Sequence, residues 1–301
     1  MGNRTRLHAI RRANWHRIAR SADHLTLVAL AAMATVAPLF VASTGTADEA
    51  AQVRYGVGVP VGEGVARSYV IANGGDVEEF GVALSEGALR GLPQVEGMPG
   101  NAEHPGQAAD PEPHGAPPGH VEFVLAMPAE HGTPFRFVGL DWNPVGHPPM
   151  GIYDAPHFDI HFYTITEGER DLIDPAHPDF AIKASRVPDV ALAPAGYLPH
   201  HMLEQADPAA LTVPRMGLHW VNPAGAEFAG GPFTAALLYG SWDGDFIFIE
   251  PMVARDFLLQ DPNLSMPFSG PIAGNAPGVL RVYRDAVTSE YRIGIRDMET
   301  R

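Results

Sequence analysis

Within the run of residues 157–165, apolar and polar side chains alternate from His157 to Tyr163. Its apolar positions are Phe158, Ile160 and Phe162, and its polar positions are His157, Asp159, His161 and Tyr163. This period of two residues is that of a β-strand, with one face for a core and one for polar side chains. A helix would place His157 and His161 one turn apart, but the alternating phenylalanines argue against it.

Most of the remaining chain also has strand character. Predicted strands cover residues 53–61, 65–72, 77–85, 121–127, 135–141, 215–221, 233–241, 246–253, 279–284 and 291–296. Asp243-Gly244 lies between two of them and is typical of a type I′ hairpin turn. Short helices are predicted at 86–92, 167–173 and 178–185, and 186–213 is predicted to be mostly loop because of its prolines. We therefore expect an α+β fold, predominantly antiparallel β, sandwich or barrel-like, with a few short helices.

Residues 94–120 contain almost no large apolar side chains and are rich in Pro, Gly, Glu and His. Such a composition cannot bury a core, so we expect a flexible, solvated loop that includes His104, His114 and His120. The strands on both sides of it are expected to form one β-rich domain over residues 48–301.

The N-terminal residues have the pattern of an export signal. Six arginines precede the uncharged stretch 25–42, and small residues follow up to Ala47. We predict a signal peptide over residues 1–47, cleaved after Ala47, with Ser43 as the neighbouring alternative. Retention as an uncleaved membrane anchor is the other alternative. Both place the remainder in the periplasm, in the cell envelope or outside the cell; the pattern does not distinguish Sec from twin-arginine export.

Charge and cysteine content exclude several functional classes. Cleavage after Ala47 removes six of 20 basic and one of 35 acidic residues, which leaves a formal charge of −20. A surface this acidic repels nucleic acid and anionic lipid, so neither is expected as a partner. The chain has no cysteine, which excludes thiolate metal sites and thiol catalysis.

The polar face of the 157–165 strand is the strongest candidate for a functional site. Same-face neighbours lie roughly 6–7 Å apart, so adjacent pairs among His157, Asp159 and His161 can reach one ion. His219 lies on a later predicted strand, and Glu250 ends an apolar run in which an unpaired carboxylate is costly. We predict one divalent metal site, zinc by its donor types, from these five residues. A hydrogen-bonded polar cluster or a solvent-facing sheet surface is the alternative.

Two further groups are weaker candidates. Asp141 and His147 flank a proline-containing turn, where Asp more often caps backbone groups. His200-His201-Met202 could indicate copper, but strand methionines elsewhere are more often core residues.

Several short sequence segments together resemble those of a family of exported prokaryotic proteins. They are Gly139-Leu140-Asp141-Trp142-Asn143-Pro144, Gly146-His147-Pro148-Pro149, residues 156–163, Pro214-Arg215-Met216-Gly217-Leu218-His219-Trp220 and Glu250-Pro251-Met252. The family is a domain of unknown function whose described member is controlled by an extracytoplasmic-stress sigma factor. The resemblance spans roughly residues 55–255 and implies secretion and a β-rich fold, but no activity.

The sequence leaves two functional classes open. A non-catalytic binding or stress protein is slightly favoured, in which the polar face holds a small molecule or structures the interior. The alternative is a zinc-dependent hydrolase or lyase acting on a small molecule, with Glu250 or Asp159 as general base and Tyr163 as hydrogen-bond donor. A preformed cavity beside these residues favours catalysis, and a filled interior favours the first class. The sequence is compatible with a homo-oligomer.

Overall fold

Two antiparallel β-sheets form the framework of the computed structural model, which describes residues 51–94, 119–272 and 277–298. These residues belong to one compact unit. The sheets pack face to face as a sandwich and neither closes into a barrel. The predicted fold class is therefore confirmed in its sandwich form. The predicted signal peptide and most of the 94–120 loop lie outside the described residues.

The first sheet has seven strands in the order β1-β3-β4-β15-β14-β13, with β2 also paired to β3. Its strands are β1 Gln52–Tyr55, β2 Val59–Val61, β3 Gly64–Asn73, β4 Asp76–Leu84, β13 Asn263–Ser269, β14 Pro277–Arg284 and β15 Tyr291–Arg296. The single strand predicted at 53–61 is divided into β1 and β2, which pair with β3 in registers that differ by one residue. Strand β13 was not predicted; it carries Pro267, which is tolerated because β13 is an edge strand.

The second sheet has eight strands in the order β5-β6-β7-β12-β11-β10-β8, with β9 paired to β10. Its strands are β5 Val121–Ala126, β6 Phe137–Asn143, β7 His157–Tyr163, β8 Leu198–Pro199, β9 Thr212–Val213, β10 Gly217–Val221, β11 Ala235–Trp242 and β12 Asp245–Ala254. Asp243 and Gly244 between β11 and β12 have φ values of 53° and 94°. Two positive φ values are those of the predicted type I′ turn.

The main core lies between the two sheets and fixes which way β7 faces. Phe158, Ile160 and Phe162 are fully buried in it. Phe162 packs edge-on against Phe80 of β4, with ring centroids 5.3 Å apart. Because side chains alternate along a strand, the polar residues of β7 project from the outer face of the second sheet.

Short helices and loops cover parts of the sandwich. The α-helices are α1 Glu167–Asp171, α2 Phe180–Ala184, α3 His200–Glu204, α4 Pro208–Leu211 and α5 Arg255–Leu258, and 3-10 turns lie at Glu86–Leu89, Val190–Leu192 and Ala226–Ala229. Thr166 and Glu169 form the capping box expected for α1. Residues 186–213 are more structured than predicted, because Asp189 and Asp207 accept backbone N–H groups and start helical turns. No helix within the described ranges is long and apolar enough to span a membrane.

Candidate metal centre

The polar face of β7 is buried rather than open to solvent. His157 and His161 are fully buried, and Asp159 is 4% exposed. Strand β7 lies between β6 and β12, and two apolar clusters flank its outer face. One cluster contains Tyr163 and the other Tyr153. A solvent-facing sheet surface is therefore excluded for these side chains.

Three of the predicted ligands come together from three strands of the second sheet. His161 of β7, His219 of β10 and Glu250 of β12 each offer one atom, and the three atoms lie within 4.8 Å of one another. His161 Nε2 is 3.4 Å from Glu250 Oε1, and His219 Nε2 is 3.5 Å from Glu250 Oε2. Ligand atoms of a tetrahedral zinc ion with bonds of about 2.0–2.1 Å lie about 3.4 Å apart. We call these three residues the inner triad; its spacing suits such an ion.

Sheet geometry explains this convergence. Ile249 pairs with Phe162, and Met252 pairs with Asp159, so Glu250 lies across from His161. His219 pairs with Gly240 of β11. A side chain at Gly240 would collide with the Phe248 ring, and that ring packs against both triad histidines. The glycine therefore leaves space for the aromatic side chain that holds the two imidazoles in place.

A buried carboxylate orients the His161 ring. His161 Nδ1 lies 2.9 Å from Asp141 Oδ2, and the other Asp141 oxygen lies 2.7 Å from His120 Nε2. A carboxylate only accepts, so His161 Nδ1 donates to it and Nε2 faces Glu250. Metal-bound histidines are oriented by contacts of this kind. His120, which we expected in a solvated loop, is instead 9% exposed and belongs to this network.

Several atoms of these side chains lack hydrogen bonds. His161 Nε2 and Glu250 Oε2 are buried and have no hydrogen-bond partner among the described residues. They are close to each other's side chains but are not aligned to bond. A buried polar atom without a partner costs roughly 1–3 kcal/mol. Convergence without hydrogen bonding is the arrangement expected of ligand atoms that share a cation.

His157 and Asp159, the two other predicted ligands, do not join the inner triad. With His147 they form a second group, which we call the outer triad, whose ligand atoms also lie within 4.8 Å of one another. The five residues of the predicted single site are thus divided between two groups. The separation follows from strand geometry, since Asp159 and His161 are roughly 6–7 Å apart along β7.

Burial and neighbouring charges shift the ionisation of the inner triad. Burial, together with the His161 and His147 rings, lowers the pKa of His219 to about 3. Burial raises the pKa of Glu250 to about 8, although His161 opposes the shift. Burial also lowers the pKa of His161, but the carboxylates of Glu250 and Asp141 outweigh it and raise that pKa to about 9. Without a metal, the pair of His161 and Glu250 therefore retains at least one proton at neutral pH.

Both triads border one cavity of about 450 Å³. Polar residues on its wall include His120, Asp141, His147, Asp159, His200, Thr212, Arg215, His219 and Glu250, and apolar ones include Tyr153, Phe180, Leu211, Val213 and Leu238. Two residues of each triad line the cavity, and the side chains of His219 and His147 are 16% and 21% exposed. An ion in either place would be accessible to a small molecule.

The two candidate catalytic residues have other roles in this geometry. The Tyr163 hydroxyl donates to the Arg215 carbonyl at 3.1 Å and lies in an apolar cluster. Glu250 faces both triad histidines. Tyr163 is therefore occupied as a donor, and Glu250 is placed as a ligand rather than as a free base.

Sequence reasoning gave little weight to three residues of the site. Asp141 and His147 flank a turn in the sequence. Their position in the segment that leads directly into β7 is the signal that places them near the β7 residues. His200 of α3 lines the cavity, and its buried Nε2 has no hydrogen-bond partner within the part of the chain that the structure covers. No periodic pattern marks His200, because its position depends on the fold of 186–213.

In comparisons with known proteins, no family model matches this chain, and no curated protein or solved structure matches it significantly. The resemblance of the sequence segments to an exported family of unknown function therefore stays a prediction. Function must be argued from the site.

Proposed function

We propose that this protein is an exported, zinc-dependent hydrolase or lyase that acts on a small molecule beside the inner triad. The observation that carries the proposal is the convergence of His161, His219 and Glu250 at the wall of a preformed cavity. The buried His161 Nε2 and Glu250 Oε2 have no hydrogen-bond partner in the described ranges. A cation at their common point satisfies both atoms.

The donor set favours zinc. Two imidazole nitrogens and one carboxylate oxygen suit zinc, and three protein ligands leave a fourth position for water or substrate. Calcium and magnesium prefer oxygen ligands. The low pKa of His219, about 3, keeps this imidazole neutral and able to coordinate at any physiological pH.

The cavity favours catalysis over a purely structural site. A zinc ion bound here would polarise a carbonyl or phosphoryl oxygen and lower the pKa of a coordinated water. His200 lines the cavity near the inner triad and is available to transfer a proton to or from substrate.

A metal-dependent binding protein is the second candidate. It is favoured by one observation: Glu250 is placed as a metal ligand and the Tyr163 hydroxyl already donates to the Arg215 carbonyl, so neither serves as a free base or donor. In this role the ion holds a coordinating ligand without turnover. Export rests on the N-terminal sequence, and a role in envelope stress rests on the family resemblance alone.

Zinc content tests the metal site. We would purify the wild type and the variants His219→Ala and Glu250→Gln, and measure zinc per chain by elemental analysis. His131→Ala is the control, because His131 lies in the β5–β6 connection and is not part of the cavity wall. Each triad variant is expected to lose one bound ion, and the control none. Equal zinc in all four proteins would contradict the proposal.

Turnover tests the choice between the two classes. Metal-stripped and zinc-restored protein would be assayed on a panel of small esters, amides and phosphate esters. Zinc-restored turnover that His219→Ala abolishes supports the enzyme. Zinc-dependent binding of a panel member without turnover would replace it with the binding protein.

A further inference from the structure

We propose that the outer triad, His147, His157 and Asp159, binds a second divalent cation in the same cavity. His157 Nε2 lies 3.0 Å from Asp159 Oδ1, and His147 Nε2 lies 3.1 Å from Asp159 Oδ2. The three residues offer two nitrogens and one carboxylate, the same donor set as the inner triad. The inference does not depend on the inner triad, since no ligand is shared.

The outer-triad atoms lack the partners that their burial demands. His157 Nε2 and Asp159 Oδ1 are buried, and within the described part of the chain neither has a hydrogen bond. His157 is fully buried and Asp159 is 96% buried. The two atoms are close but are not aligned as donor and acceptor. The ligand atoms of the three residues lie within 4.8 Å of one another, as ligand atoms do around an ion.

Backbone carbonyls fix which nitrogen of each histidine is free. His157 Nδ1 lies 2.6 Å from the Ala155 oxygen, and His147 Nδ1 lies 2.8 Å from the Pro148 oxygen. A carbonyl oxygen can only accept, so each Nδ1 carries the hydrogen. His147 Nε2 forms a hydrogen bond with Asp159 Oδ2, so a proton on His147 can take the place that a cation would occupy. His157 Nε2, the nitrogen left for a ligand, faces Asp159 Oδ1 without a hydrogen bond, and metal-bound histidines are held through their other nitrogen in this way.

The surroundings hold the outer triad in place. Asn143 donates to Asp159 Oδ2 at 2.7 Å. His147 lies on a loop that a backbone bridge to Tyr153 closes. Gly146 before it has a φ of +73°, and a side chain there would collide with the Tyr153 carbonyl. The loop therefore presents His147 to the strand in one defined position.

Cross-strand pairing supplies an independent reason for positive charge here. Asp141 of β6 and Asp159 of β7 are directly paired, and both carboxylates are buried. Like charges directly opposite on neighbouring strands are destabilising. Asp141 is bonded to His120 and His161, and a cation in the outer triad would compensate Asp159.

The two ions would be separate. Their strand-borne ligands are roughly 6–7 Å apart along β7, whereas ions of a shared dinuclear site are about 3.5–4 Å apart. No carboxylate belongs to both triads. Each ion should therefore bind without the other.

Calorimetric titration of the metal-stripped full chain with zinc tests the inference. We expect two ions per chain in the wild type and one in His147→Ala or Asp159→Asn. His219→Ala should also bind one ion, and the double variant His147→Ala/His219→Ala none. His147→Ala is the primary variant because His147 lies on a partly exposed loop and its removal leaves the core intact. Circular dichroism would verify folding of each variant.

The outcomes separate this inference from the inner metal site. One ion in the wild type, retained in His147→Ala and Asp159→Asn but lost in His219→Ala, overturns the second site and leaves the inner triad. One ion lost only in His147→Ala and Asp159→Asn supports the outer site and rejects the inner one.

Discussion

Asp141→Asn should weaken zinc binding without touching a ligand. Asp141 accepts a hydrogen bond from His161 Nδ1 at 2.9 Å, and both side chains are 1% exposed. Asparagine keeps the volume but removes the charge that holds the ring and makes Nε2 a stronger ligand. Loss of such a contact typically costs about 10–100-fold in metal affinity, or about 1.4–2.8 kcal/mol.

Weaker zinc binding also lowers the thermal stability that zinc confers, because zinc binds the folded chain and not the unfolded one. At free zinc 100-fold above the wild-type Kd, an ion at the inner triad stabilises the fold by about 2.7 kcal/mol. In the variant, the same zinc concentration gives about 0.4–1.4 kcal/mol. For a chain of this size, the contribution of the inner triad to the zinc-induced rise in Tm would fall from about 5–10 °C to about 1–6 °C.

Calorimetry and thermal unfolding with and without zinc would measure both quantities. Asp245→Asn is the matched control, because Asp245 is an exposed residue at the start of β12 and should leave zinc affinity unchanged. Zinc affinity of Asp141→Asn within twofold of wild type would refute the reasoning that Asp141 orients a metal ligand.

Three further predictions concern pH and packing. Zinc must displace at least one proton from the pair of His161 and Glu250, whose pKa values are raised to about 9 and about 8. Zinc affinity measured by calorimetry should therefore rise at least about tenfold per pH unit between about pH 6 and 8, and pH-independent affinity would contradict this. Phe162→Ala should lower the free energy of unfolding by about 3–5 kcal/mol in denaturant titration, and a loss below about 1 kcal/mol would place Phe162 outside the core. Gly240→Ala should cost about 1–3 kcal/mol in the same assay because its Cβ meets the Phe248 ring, and unchanged stability would show that the ring can move.

The sequence predicted the parts of the fold that depend on local patterns. The alternation around Phe158, Ile160 and Phe162 requires a strand with one core face, and the Asp243-Gly244 pair requires a tight hairpin. The missed edge strand β13 does alternate, with Leu264, Met266 and Phe268 half-buried, but Pro267 within it argues against a strand when the sequence is considered alone. Segment 186–213 depends on helix caps and tertiary contacts that composition does not reveal.

The candidate site was predicted by residue type but not by grouping. The five residues His157, Asp159, His161, His219 and Glu250 all border the outer face of the second sheet, where two groups of ligands form. Which atoms meet depends on strand register, and register between β7 and β12 cannot be read from either strand alone. The pairing of Asp141 with Asp159 and the approach of the His147 loop are likewise long-range features.

Anomalous X-ray diffraction at the zinc edge from crystals grown with zinc tests the central claim most directly. We expect an anomalous peak at the inner triad, about 2.0–2.2 Å from His161 Nε2, His219 Nε2 and a Glu250 carboxylate oxygen. Full zinc saturation in solution with no peak at the inner triad, and a direct hydrogen bond between His161 and Glu250 in its place, would contradict it.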